Sequence, residues 1–147
     1  MKMTIEGVDL PQRQTEDSCG YDIYAPCDMV ITRDATKYDL GILMEPGDIP
    51  KGYFALILPR SSTGNKGLCI RNTAGVIDSD YTMDTIKATL YIDDHGGDRM
   101  IDVAHAQKLE FPKNSRILQM ILVPHGIIPT EIPPTQKREG GIGSTGQ

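Results

Sequence analysis

Short apolar runs, broken every few residues by glycine, proline and polar turns, make up most of this chain. They are Tyr21–Ala25, Met29–Thr32, Tyr38–Met44, Gly52–Leu58, Gly75–Ile77, Thr85–Ile92, Arg116–Val123 and Ile127–Ile132. In Lys87-Ala88-Thr89-Leu90-Tyr91-Ile92 the apolar positions recur with period two, as in a strand with one buried face. No segment sustains the 3.6-residue apolar period of an amphipathic helix, and Arg99–Leu109 is the best helical candidate. Many short strands at close spacing predict an all-β sandwich or barrel. From about Pro129 the chain turns Pro-, Gly- and Thr-rich and reads as an extended arm leaving the core.

Composition narrows this to one domain spanning 1–147, since 147 residues suffice for a single core. The 15 Gly and 10 Pro supply the frequent turns. With net charge −5, no basic run, two Phe and no Trp, the chain lacks the cations and stacking platforms of a nucleic-acid groove. A small anionic ligand needs only a few local cations and stays compatible. No apolar run approaches the ~18 residues of a membrane span, and the first residues lack a signal-peptide core. Three cysteines without a C-x-x-C pair point to a reducing, cytoplasmic setting, and the three scattered histidines form no metal pair.

Five segments carry candidate chemistry. Asp22, inside Gly20-Tyr21-Asp22-Ile23-Tyr24-Ala25, is costly in a strand unless paired or solvated. In Pro59-Arg60-Ser61-Ser62-Thr63 an apolar strand ends in a guanidinium and hydroxyls. With Pro59 at a first helical position, that makes a ready anion site. Asn72-Thr73-Ala74-Gly75-Val76-Ile77-Asp78-Ser79-Asp80-Tyr81 reads as a tight reversal whose bared backbone can hydrogen-bond a base edge. Asp78 is a candidate general base and Tyr81 an apolar plate for a sugar. Gln119, within Arg116-Ile117-Leu118-Gln119-Met120-Ile121, must find a partner. Near the end, Gly141, Gly143 and Gly146 fit G-x-G-x-x-G, but no helix follows to hold a pyrophosphate in the dinucleotide-fold manner. That leaves a frayed terminus or a mobile arm closing over phosphates.

In this order the five segments resemble the five-motif signature of the dUTPase family, over nearly the whole chain. The resemblance implies a jelly-roll-like β-barrel or sandwich with a mobile C-terminal arm. It implies a homotrimer with active sites shared between subunits, and Mg²⁺-dependent hydrolysis of dUTP to dUMP and pyrophosphate. By position, Asp78 would activate the water that attacks the α-phosphorus. Tyr81 would pack on the deoxyribose and exclude a 2′-hydroxyl. Asn72 and the backbone around Thr73–Gly75 would read uracil and leave no room for a 5-methyl group, with Val76 and Ile77 also in the substrate site. Arg60, Ser61, Ser62 and Gln119 would hold phosphates. Lys87, Arg138, Ile142, Gly143, Ser144 and Thr145 would complete the substrate site, and Asp22 would bind Mg²⁺ through water.

The chain departs from the family pattern in four places. Tyr81-Thr82-Met83-Asp84-Thr85-Ile86 stands where the family has Y-R-G-E-I, without its glycine and with one residue more. Ser62 replaces a glycine. Residues 93–107 read as an insertion of unknown purpose, and a role in binding an unidentified protein partner stays open. In motif five either Lys137 or Arg138 takes the arginine's place, and Ile142 replaces the phenylalanine that stacks on uracil. The related dCTP deaminases need a Glu where this chain has Thr89 or Ala88, and an Arg where it has Asn65. Both differences weigh against deamination. A regulatory protein on a dUTPase scaffold is the alternative outside catalysis, and the intact Asp78 and Tyr81 weigh against it.

Overall fold

The computed structural model describes residues 1–93 and 108–139. Among these the chain forms strands β1 (Lys2–Met3), β2 (Gly20–Tyr24), β3 (Met29–Ile31), β4 (Thr36–Leu43) and β5 (Tyr53–Pro59). A single helical turn, α1 (Ser61–Gly64), follows. Then come β6 (Leu68–Ile70), β7 (Gly75–Asp78), β8 (Thr85–Ile92), β9 (Leu109–Phe111) and β10 (Arg116–Pro124).

The strands pair antiparallel in three sheets, β1-β4-β8-β6, β2-β10-β5-β7 and the small β3-β9. Period-two patterning explains the packing. In β8, Ile86, Ala88, Leu90 and Ile92 are buried while the residues between them are half-exposed. They meet Leu40 and Ile42 of β4, Ile57 of β5, Ile77 of β7 and Leu118 and Met120 of β10 in one core, with Met29, Ile31 and Phe111 from the small sheet. This is the expected all-β, jelly-roll-like sandwich.

Several expectations need correction. Ile127–Ile132 is not a strand: it has no ladder partner, and Ile127, Ile128 and Ile132 are exposed. No regular element follows β10 among the described residues, in keeping with an extended arm. The helical candidate Arg99–Leu109 lies mostly outside the described residues, and its last residue, Leu109, starts strand β9. The 93–107 segment is outside them too, apart from Asp93. Pro59 is not a first helical position. It closes β5 opposite Leu118, and Arg60 intervenes as the N-cap. The reversal at Asn72–Gly75 joins two sheets, since β6 belongs to the first and β7 to the second.

β4 bulges against β8. Asp39 pairs with Lys87, but the next pair is Leu43 with Thr85. The additional β4 residues turn at Gly41, whose φ of 72° suits glycine.

Candidate active site

The described site residues assemble into two groups, one at each end of β5. The first gathers where β5 gives way to α1. Arg60 donates from Nε to Asp22 Oδ1 at 2.8 Å and from Nη1 to Ser62 Oγ at 3.1 Å. Arg116 donates to Asp22 Oδ2 at 3.4 Å. Asp22 is thus the buried strand aspartate that needed partners, and two guanidiniums supply them. Gln119 donates from Nε2 to the Pro59 carbonyl at 3.1 Å. It lies across Gly20, where a Cβ would sit 2.7 Å from its Oε1. These side chains and Ser61 line an open cleft of about 620 Å³. An arginine has five N–H donors, so Arg60 keeps some for an incoming anion.

Thr63 holds this corner together. Its hydroxyl donates to the Ile117 carbonyl at 2.7 Å and accepts from the Arg60 amide at 3.1 Å. Neither Thr63 nor Arg116 was a site candidate from sequence. The only available signals were a hydroxyl three residues after a cap and a cation at the start of a strand.

The second group lies at the other end of β5. Thr73 takes φ 71°, and its amide donates to the Ile70 carbonyl at 2.9 Å. Asn72 and Thr73 are exposed, while the Thr73 and Ala74 amides are used within the turn, by the Ile70 and Asn72 carbonyls. Gly75 lies against β5, where a Cβ would meet that of Ile57 at 3.2 Å. Val76 and Asp78 face out, whereas the Ile77 side chain is 2% exposed and packs in the core. Only the backbone of Ile77 is available to a ligand.

Asp78 and Asp80 both accept from Arg138. Its Nη2 bonds Asp78 Oδ2, and its Nε bonds Asp80 Oδ1 at 2.8 Å. The Arg138 side chain is only 8% exposed, and its Cζ lies 5.6 Å from the Tyr81 ring centroid. A sugar packed on that face must displace the guanidinium. Lys137 is exposed. The Tyr81 hydroxyl donates to the Thr85 carbonyl at 2.9 Å. Lys87 Nζ reaches the same carbonyl at 3.0 Å and pairs with Asp84 at 2.8 Å. Desolvation disfavours the Lys87 charge, but Asp84, with Tyr81 and Asp39, outweighs it and raises the ammonium pKa above its ordinary value. Lys87 therefore joins the Tyr81 group and not the phosphate-side cleft. Ile142, Gly143, Ser144 and Thr145 lie outside the described residues.

The sheet ladder measures the separation of the groups. Asp78 pairs with Phe54, and Arg60 follows six residues later along β5. At about 3.3 Å per residue the two ends are about 20 Å apart. Between them the sheet face that carries Asp78 also carries Phe54, Leu56, Leu58, Val76, Ile121 and Val123, which are half-buried or exposed.

Comparison with known proteins gives a consistent result. A model of the dUTPase family matches residues 6–146. The deoxyuridine 5′-triphosphate nucleotidohydrolase of Escherichia phage T5 is 37% identical, covering 93% of this chain and 91% of its own length. The protein of that name from Burkholderia cenocepacia is 33% identical, covering 94% and 89%. Among solved structures, the Staphylococcus bacteriophage 80alpha dUTPase with dUPNHPP aligns with a TM-score of 0.66 at 21% identity, over 99% of this chain and 96% of that one. The Streptococcus mutans dUTPase aligns with a TM-score of 0.61 at 24% identity, over 85% and 95%.

Proposed function

We infer the activity from one premise: the chain belongs to the dUTPase family. It is a dUTP diphosphatase. In our reading it converts dUTP to dUMP and pyrophosphate, which limits uracil incorporation into DNA and supplies dUMP for thymidylate synthesis. Action in the cytoplasm, the host's if the chain is virus-encoded, belongs to the same proposal. Among the described residues no helix is long and apolar enough to cross a membrane.

Asp78 is the proposed general base. It takes a proton from a water as that water attacks the α-phosphorus, and the P–O bond to the departing pyrophosphate breaks. Arg60, Ser61, Ser62 and Gln119 bind the phosphates. The exposed turn at Asn72–Gly75 reads the uracil edge, and Tyr81 backs the sugar. Residues 142–145 close over the phosphates from the arm.

One observation carries the assembly. A base works only within hydrogen-bond reach of the attacking water, which itself lies about 3–3.5 Å from phosphorus. Within one chain Asp78 and the Arg60 corner are about 20 Å apart. A second copy joined head to tail can bring its Arg60 end to this chain's Asp78 end, covering the apolar strip between them. Such contacts close into a ring where the rotation between copies permits, and a homotrimer, usual in the family, is the ring we propose.

The donor set suits Mg²⁺ delivered by substrate. Among the described residues no three His, Cys, Asp or Glu side chains cluster to hold a metal. Asp22 lines the cleft and accepts one hydrogen bond on each carboxylate oxygen. About two of its four lone-pair sites remain for water. That matches an ion carried on phosphates with most of its waters retained. When bound, Mg²⁺ would neutralise phosphate charge and ease the nucleophile's approach.

The deciding experiment incubates purified protein and Mg²⁺ with dUTP, dCTP, dTTP and UTP, separating phosphate from pyrophosphate. Pyrophosphate from dUTP alone is expected. Ammonia from dCTP, or equal turnover of UTP, would overturn the reading.

A further inference from the structure

Behind Tyr81 the β4 bulge and the start of β8 are tied by a chain of polar contacts that the proposed chemistry does not use. Asp39 Oδ1 accepts from the Gly41 amide at 2.8 Å, so the bulge fixes the carboxylate. Its Oδ2 accepts from Thr85 Oγ1 at 2.8 Å. The Thr85 amide donates to Asp84 Oδ1 at 2.8 Å, and Asp84 Oδ2 pairs with Lys87 at 2.8 Å. The Thr85 carbonyl, at the centre, accepts from both the Tyr81 phenol and the Lys87 ammonium. The turn that departs from the family pattern, Thr82-Met83-Asp84, lies inside this loop of contacts.

A side chain that rejects a substituent by contact works only if it cannot retreat. Tyr81 is held at its amide, which donates to the Asp78 carbonyl at 3.1 Å, and at its hydroxyl by Thr85. The first tether is backbone. The second depends on where the Thr85 carbonyl sits; Asp39 and Lys87 bond Thr85 from two sides, beside its ladder pairing with Leu43.

We propose that Asp39, Thr85 and Lys87 are positioning residues that lock Tyr81 against the sugar and so set discrimination against ribonucleotides. This rests on the dUTP diphosphatase reading and adds to it the parts that make the sugar wall rigid. Lys87 then acts through Tyr81, not on the phosphates.

The test is the ratio of kcat/KM for dUTP to that for UTP. Pockets that must reject one added hydroxyl by shape reach roughly 10²-fold, so a loosened wall should lose about tenfold of the ratio. Lys87→Met keeps the aliphatic stem and removes the ammonium. It is expected to lower the ratio about tenfold, and Lys87→Arg to restore most of it. Thr85→Val cuts the link to Asp39 while leaving the carbonyl, and should lower the ratio in the same sense. It carries the test if Lys87→Met fails to fold. Tyr81→Phe should lower the ratio too, and adding Lys87→Met to it should change little more, because both act on one contact. Equal losses on dUTP and UTP, with the ratio unchanged, would make Lys87 a phosphate ligand or a mere stabiliser and overturn the inference alone. Wild-type protein that does not hydrolyse dUTP would overturn the functional reading beneath it.

Discussion

Asp78 sits at the outward end of β7, exposed and bonded to Arg138. If it is the base, the amide of Asp78→Asn cannot take the water's proton. Turnover should fall by about 10²–10⁴-fold, while a non-hydrolysable dUTP analogue still binds. A variant keeping more than about a tenth of wild-type kcat would remove Asp78 from that role. A second residue prediction concerns Thr63, 3% exposed and hydrogen-bonded on both sides. Thr63→Val keeps the shape but leaves the Ile117 carbonyl and the Arg60 amide without their hydroxyl partner. Unsatisfied buried groups cost about 1–3 kcal/mol each. A lower urea midpoint and a raised KM for dUTP are expected, and Thr63→Ser should recover both. At this scale polar residues in apolar surroundings were legible: Asp22 and Gln119 had to have partners, and they do. Which partners, and that Ile77 points inward, depended on strand register, which sequence alone does not fix.

Strands with several period-two repeats were legible as elements, β8 to the residue. Of the three-residue strands, β3 was legible within Met29–Thr32, but β6 and β9 were missed, because so short an alternation is no longer than a turn. Ile127–Ile132 misled in the opposite direction. Its isoleucines suit a strand, but no ladder takes them up, and hydropathy alone cannot supply a partner. The β4 bulge was also invisible, since Tyr38–Met44 reads as a plain strand. Its geometry makes a sharp prediction. A Cβ on Gly41 would lie 2.6 Å from Ile5 Cδ1, at φ 72°. Gly41→Ala therefore adds left-handed strain to a clash, and such strain costs about 1–3 kcal/mol. The thermal midpoint should drop by several degrees. Because Asp39 is anchored to the same bulge, the dUTP:UTP ratio should fall with it. Unchanged stability would mean that the β1 segment yields freely.

At the scale of the whole molecule, the two ends of β5 hold two half-sites with an apolar strip between them, and that layout has a consequence for mixtures. If each site takes Asp78 from one chain and its arm from another, damage to the two can be separated. A chain carrying Asp78→Asn supplies intact arms. A chain truncated after Pro134 supplies intact Asp78 but lacks Arg138 and the residues beyond it. Neither homotrimer has a complete site. In mixed trimers some sites join a wild-type Asp78 to a full-length arm from a neighbour, so activity should reappear on mixing and track the mixed fraction. Within this chain, however, Arg138 already reaches Asp78 and Asp80. If that contact within one chain is the working one, every site needs both parts from the same chain, and no mixture recovers. The experiment therefore separates an arm shared between chains from an arm that serves its own chain. Proven mixed trimers without recovery would reject an arm shared between chains, and a monomeric mass by light scattering would reject the shared site altogether.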